Sequence, residues 1–224
     1  MAYGHLLWEL SSLRELAIKH DVHHIGRQPM TPAMLSRRGL SASAAHPTLA
    51  AKMGGKLSRK VADRMADEPF RGGSACNPGR YSKGFPALYT AHDFDTAVAE
   101  VEYHLVKRGA VANGLRPRYV ILTAHVEGPG KDLLALPDAC QPELIFDTDY
   151  RPTQALGTAA KATPLVALQV PSARRTTGIN FPVFAREAIQ PTEADRKIVF
   201  FMTKAGKFTW TISQRARPAK KKKR

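Results

Sequence analysis

The stretch ALYTAHDFDTAVAEVEYHLVKR, residues 87–108, decides the fold class, because two periodicities meet inside it. Residues 87–91 alternate like a half-buried strand, so that Leu88 faces a core and Tyr89 the opposite side. Over residues 96–108 the period becomes helical, with Ala97, Val101 and Leu105 on one stripe and Asp93 or Asp95 near the start. A strand that feeds directly into an amphipathic helix belongs to an α/β or α+β domain.

Toward the C-terminus, RYVILTAHV (118–126), PLVALQV (164–170), FPVF (181–184), RKIVFFMT (196–203) and KFTWTIS (207–213) are further strands, and residues 153–162 form a shorter helix. The last two runs meet around Ala205-Gly206 as a hairpin, which puts a strand at the edge of a mixed sheet. Toward the N-terminus, Leu6, Leu10, Leu13 and Ala17 keep helical spacing over residues 3–19, with Ser11 or Ser12 as the alternative cap of a shorter helix. Thr31, followed by Pro32, marks a second helix start, and the small, basic stretch beyond it predicts weakly held helices. The expected organisation is an N-terminal helical extension over 1–66, an α/β (α+β) catalytic domain over 67–214 and a basic disordered tail over 215–224. The catalytic domain carries a mixed central sheet flanked by helices.

The 224 residues are 43% hydrophobic and 24% charged, with 16 Gly and 16 Pro, which suits a globular domain with room for a cleft and excludes a collagen-like or disordered chain. Two cysteines, Cys76 and Cys140, are too few for a thiolate zinc cluster or a multi-bridge secreted framework. No apolar run approaches the roughly 20 residues that span a bilayer, and MAYGHLLWELSS lacks the parts of a signal peptide. A cytoplasmic protein without membrane contact is therefore expected.

The net charge is +15, about half of it at Arg215, Arg217 and residues 220–224. A basic tail of this kind attracts nucleic acid, an anionic surface or an acidic partner, although a solvated end is the plainer reading. No helix-turn-helix or other nucleic-acid fingerprint is visible. His20, His23 and His24 lie close together but lack the HExxH order and a third ligand, so no metal is assigned.

The densest chemistry lies in FRGGSACNPGRYSKGFPALYTAHDFDTAVAEVEYH, residues 70–104. Its glycines bend a loop tightly, and the guanidinium forks of Arg71 and Arg80 suit phosphate better than a lysine does. Tyr89 can stack on a heterocycle or hydrogen-bond through its hydroxyl, and Glu100 offers a carboxylate on a rigid helix, one turn from His104. Plainer roles stand beside these: a surface charge for Arg71, a structural ion pair for Arg80, a core aromatic for Tyr89, a solvated helix position for Glu100 and a structural histidine for His104. No GxGxxG or GxxxxGK[ST] occurs, so a dinucleotide would be consumed in a cleft and not held as a hydride carrier.

The blocks GRYSKGFPALYTAHDFDTAVAEVEYH (79–104) and VPSARRTTGINFPVF (170–184), with DTDYRPTQALGTAAKA (147–162) between them, resemble the RES domain family. This family, named for an arginine, a glutamate and a serine, comprises toxins of RES/Xre-type toxin–antitoxin pairs, and the resemblance covers about residues 68–190. It places the family arginine on Arg80, the tyrosine on Tyr89, the glutamate on Glu100 and the serine on Ser172, with Arg71 as a further upstream arginine.

The resemblance implies a fold similar to that of ADP-ribosyltransferases and degradation of NAD by phosphorolysis or hydrolysis. NAD is then the substrate, inorganic phosphate an optional co-substrate, and no cofactor is tightly bound. The implied partner is an Xre-like antitoxin with a helix-turn-helix domain, through which, or through the basic tail, nucleic acid is contacted. The extension over 1–66 would cover the cleft, form a homodimer surface or meet the antitoxin.

Breaking the nicotinamide–ribose bond develops positive charge on the ribosyl group, which a carboxylate stabilises. Glu100 is accordingly expected at the ribosyl centre and Arg80 on the NAD phosphates or the attacking phosphate. Tyr89 would orient or cover the nicotinamide, and Ser172, at a strand end, would bond the nicotinamide ribose or carboxamide. Arg174 or Arg175 adds charge to the same pocket, and Asn180 lines it or merely shapes the turn. The alternatives are an ADP-ribosyltransferase that modifies a protein and, from another class, a nucleic-acid-binding module without catalysis.

Overall fold

Ser11 and Ser12 end the first helix, α1 (Gly4–Ser12), by turning their hydroxyls back onto the Trp8 carbonyl oxygen at 2.6 and 3.1 Å. The helix expected over residues 3–19 is thus shorter, and Glu15 opens a 13-residue strand, β1 (Glu15–Arg27). The physical reason is a change of period: Ile18 and Val22 are buried and Ala17 is exposed, so the alternation of a strand takes over from the helical stripe. The computed structural model describes residues 4–27, 54–71, 79–107, 117–146, 149–203 and 207–213; the Thr31 helix start and the 215–224 tail lie outside them.

The remaining elements are α2 (Gly54–Arg71), β2 (Leu88–Ala91), α3 (Phe94–Lys107), β3 (Arg118–Asp132), α4 (Gln141–Ile145), α5 (Arg151–Lys161), β4 (Ala167–Pro171), β5 (Ile179–Val183), β6 (Ile189–Met202) and β7 (Phe208–Ser213). Strand β3 is the hub. One edge takes all of β1 antiparallel, from Glu15 opposite Lys131 to Arg27 opposite Tyr119. Its other edge takes β6 antiparallel along residues 118–126 and β4 in parallel at residues 130–132.

From β4 the pairing runs antiparallel to β5, then to β2, and returns to β1 where His23 meets Ala91. The hydrogen-bonded path therefore closes through β1, β2, β5, β4 and β3, while the β6–β7 hairpin branches from β3 with β7 at the edge, as expected. The mixed sheet flanked by helices is the fold class expected from the sequence.

One core cluster gathers Ile18, Val22, Leu88, Leu122, Val126, Phe181 and Val183 of the sheet with Ala62 and Ala66 of α2. Full burial of each large side chain contributes about 1.5–3 kcal/mol. Ile18 and Val22 of β1 and Ala62, Met65 and Ala66 of α2, which fall in the helical extension expected over 1–66, share this cluster with the strands. A second cluster, with Leu6, Leu10, Tyr81, Leu144, Leu156 and Phe184, joins α1, α4 and α5. The third sets α3 through Ala97, Val98 and Leu105 against Ile121, Ile198 and Phe200. Among the described residues no helix is long and apolar enough to cross a membrane.

Candidate functional site

Glu100 sits on α3, whose start is fixed by Asp93: the Thr96 amide donates to Asp93 Oδ1 at 2.9 Å and the Thr96 hydroxyl to Oδ2 at 2.8 Å. Burial works to raise the Asp93 pKa, but the Thr96 hydrogen bonds and the Arg175 charge outweigh it and hold the carboxyl below its ordinary 3.8.

The Glu100 carboxylate is held with one defined orientation. Its Oε1 accepts from Ser172 Oγ at 2.8 Å and from Asn180 Nδ2 at 2.7 Å, while Arg174 Nε lies 3.9 Å from Oε2. Ser172 follows β4 directly, and Asn180 lies in β5 beside it, so two neighbouring strands present their polar ends to one helix. The Ser172 oxygen in turn accepts from the amides of Arg174 at 3.1 Å and Arg175 at 3.3 Å. Arg174 is nearly buried, at 7% side-chain exposure, and its guanidinium stacks over Tyr103 at 3.4 Å from the ring centre. Buried Asn180 Oδ1 has no hydrogen-bond partner among the described residues.

A second group gathers on the loop before β2. The Tyr89 hydroxyl accepts from the Tyr81 amide at 2.7 Å and lies 3.1 Å from Ser82 Oγ, while the Tyr89 carbonyl meets His24 Nδ1 at 2.7 Å. Burial pushes the Tyr89 hydroxyl above its ordinary 10.0 and the His24 imidazole below its ordinary 6.5, so both stay neutral. Arg80 donates to the carbonyl oxygens of Leu144 and Phe146 at the end of α4, and its guanidinium lies 4.6 Å from the Tyr150 ring centre. Thr153 and Gln154 of α5 fix the loop by donating to the Arg80 and Gly79 carbonyls at 2.6 and 3.0 Å.

Glu100, Ser172, Arg174 and Asn180, residues from two sequence blocks, form one cluster. Arg80 and Tyr89 form the adjoining one. Tyr81, buried next to Arg80 in the chain, is a further residue the sequence did not single out. Burial is the largest cause that raises its hydroxyl pKa, yet the charges of both Arg80 and Glu100 also reach it. Tyr103 was missed too, and its signal was the i, i+3 spacing from Glu100 on a helix face.

Arg71 is a surface charge, paired one turn back with Asp67 at 3.4 Å and 57% exposed. His104 is exposed beside Tyr103, with ring centres 5.5 Å apart. Of Arg174 and Arg175, the two alternatives for added charge, Arg174 lies beside Glu100 and Arg175 is paired with Asp93 at 2.7 Å. No three or more His, Cys, Asp or Glu side chains among the described residues converge to hold a metal.

With this geometry in place, the RES domain family model matches residues 57–211. The chain belongs to the RES domain family. That match takes in both clusters as well as part of α2, which places much of that helix inside the RES domain. Among solved structures, this RES chain is similar to one in the crystal structure of the M. tuberculosis MbcT–MbcA toxin–antitoxin complex, with a TM-score of 0.54 and 19% identity over 88% of this chain and 92% of that one. The likeness supports the ADP-ribosyltransferase-like fold expected from the sequence. No curated protein matches this RES chain.

Proposed function

We propose that this chain is the toxin of a toxin–antitoxin pair and cleaves the nicotinamide–ribose bond of NAD, chiefly by phosphorolysis with some hydrolysis. The observation that carries the reading is the Glu100 carboxylate, with Oε1 occupied by Ser172 and Asn180 and the charge fixed in direction. Such a carboxylate stabilises the positive ribosyl group that develops as nicotinamide leaves, without reorganising at that moment.

Attack of inorganic phosphate on the ribosyl carbon breaks the bond to the nicotinamide nitrogen, releasing neutral nicotinamide and ADP-ribose 1″-phosphate. Attack of water gives ADP-ribose and a proton. Arg80 supplies a fixed positive charge for the anionic groups of the substrate or for phosphate. Asn180 Oδ1 is a ready acceptor for a ribose hydroxyl or carboxamide N–H. Tyr89 acts through the loop that bears Arg80, since its hydroxyl is engaged there. An Xre-like helix-turn-helix antitoxin in the same cytoplasm would restrain the activity.

The test is an NMR time course of NAD with the purified protein, with and without inorganic phosphate, beside the Glu100→Gln variant. Glutamine retains an oxygen acceptor and removes the charge. Phosphate-dependent release of nicotinamide is expected, slowed about 10²–10³-fold in the variant. Intact NAD with a folded protein, or equal rates in the two proteins, refutes the proposal. Label retained on a macromolecule in place of a free product would shift the reading to ADP-ribosyl transfer.

A further inference from the structure

The loop after β4, residues 172–178, is closed upon itself. The Ser172 amide donates to the Gly178 carbonyl and the Gly178 amide to the Arg175 carbonyl, both at 2.8 Å. Closing a loop fixes its shape but not its position on the rest of the fold. Ser172 and Arg174 meet the middle of α3 at Glu100 and Tyr103, and Arg175 ties the loop to its start: Nη1 donates to Asp93 Oδ1 at 2.7 Å and to Thr96 Oγ1 at 3.0 Å, and Nη2 lies 3.9 Å from Asp95 Oδ2. Thr96 and Glu100 are four residues apart, one helical turn on the same face.

We propose that Arg175 and Asp93 are positioning residues: a clamp that sets the height of Ser172 and Arg174 over the Glu100 carboxylate. The inference rests on the reading of Glu100 as the carboxylate at the ribosyl centre. Three observations converge on the clamp. Asp93 caps the very helix that carries Glu100, so the guanidinium grips a fixed point of that helix. The loop can sit this low only because residue 178 is glycine, where an added Cβ would lie 2.7 Å from Thr96 Oγ1 and 2.9 Å from Ser172 Cβ. The Ser172 oxygen, bridging Glu100 and the Arg174 and Arg175 amides, transmits any shift of the loop to the carboxylate.

A half-exposed ion pair by itself adds little stability, at 37% and 41% side-chain exposure for Arg175 and Asp93. Its effect here is geometric, because small misplacements of groups around a reacting centre slow the chemical step steeply.

The test compares Arg175→Met, Arg175→Lys, Asp93→Asn and the Met/Asn double variant by steady-state NAD kinetics, with amide hydrogen exchange on the ligand-free proteins. Asparagine at 93 keeps one oxygen to cap the Thr96 amide and loses the charge together with the second acceptor, which takes the Thr96 hydroxyl. Arg175→Met is expected to lower kcat about tenfold or more with KM changed less than about twofold, and lysine is expected to restore part of that loss. The double variant should be no worse than Arg175→Met, since both partners act through one contact. Exchange at the amides of residues 174, 175 and 178 should speed up about tenfold in Arg175→Met and Asp93→Asn.

A rise in KM with kcat unchanged would make Arg175 a ligand contact and overturn the clamp, as would additive losses or unchanged exchange. Should the wild-type protein leave NAD intact, the functional reading falls. The exchange measurement then still decides the clamp.

Discussion

Replacing Gly157 by alanine sets two tendencies against each other. In an exposed helix interior the change is favourable by about 1 kcal/mol. In α5, however, position 157 is buried, and an added Cβ would stand 1.8 Å from the Tyr81 carbonyl oxygen and 2.7 Å from its carbonyl carbon. The obstacle is backbone, so no rotamer change relieves it, and helix and loop must part by about 1 Å or more. The overpacking costs about 1–3 kcal/mol. Separation also stretches the Thr153 and Gln154 bonds to the Arg80 and Gly79 carbonyls, each contributing about 1 kcal/mol. The net expectation is a loss of about 2–3 kcal/mol, or about 5–10 °C in Tm for a chain of this size. Urea denaturation with an unchanged m-value and calorimetry measure it. A Gly157→Ala protein as stable as the wild type, or more stable, would show that the loop rides freely on α5 and would refute the reasoning.

Tyr89→Phe strips the buried Tyr81 amide of its acceptor and should cost about 1–3 kcal/mol in urea denaturation, with the Arg80 loop opened to protease. Ser172→Ala removes the donor to Glu100 and the acceptor for two amides, so the rate of nicotinamide release is expected to fall about 10–100-fold. His24 is held below its ordinary 6.5 by burial, so the unfolded chain takes up the proton first. Stability is therefore full above pH 6.5 and declines as pH falls below it, and His24→Gln should flatten that limb of a stability-against-pH curve. The Asp93 carboxyl lies below its ordinary 3.8, so its contribution is present above that pH and lost beneath it, a limb that Asp93→Asn should remove.

Where the sequence signalled one structure, its reading and the fold agree. Residues 87–91 and 96–108 alternate and then turn helical without overlap, and β2 and α3 lie there. Glu100, Ser172 and Asn180 were legible as residue types in their blocks, and folding brings them within hydrogen-bond distance. Residues 15–27 were misread because Leu13 and Ala17 continue the spacing of Leu6 and Leu10, whereas the burial of Ile18 and Val22 depends on a partner strand a hundred residues away. No local pattern encodes such a partner. The placement of Arg175 was hidden for a related reason. It and Arg174 are adjacent and chemically alike, and only the path of the loop sends one to Tyr103 and the other to Asp93.

The pairing of β1 with β3 also governs when this molecule can exist as it leaves the ribosome. Strand β1 is made about a hundred residues before its partners, Tyr119 through Lys131. At about 5–20 residues per second, β1 waits several seconds or more before its edge can be covered. The closed path cannot form until β4 and β5 follow, so Ser172 and Asn180 reach Glu100 only after residues 172–180 have been made. A ribosome-bound chain halted before residue 172 has no assembled cluster. Translation thus gives the cell an interval in which the polypeptide is present and its chemistry is not.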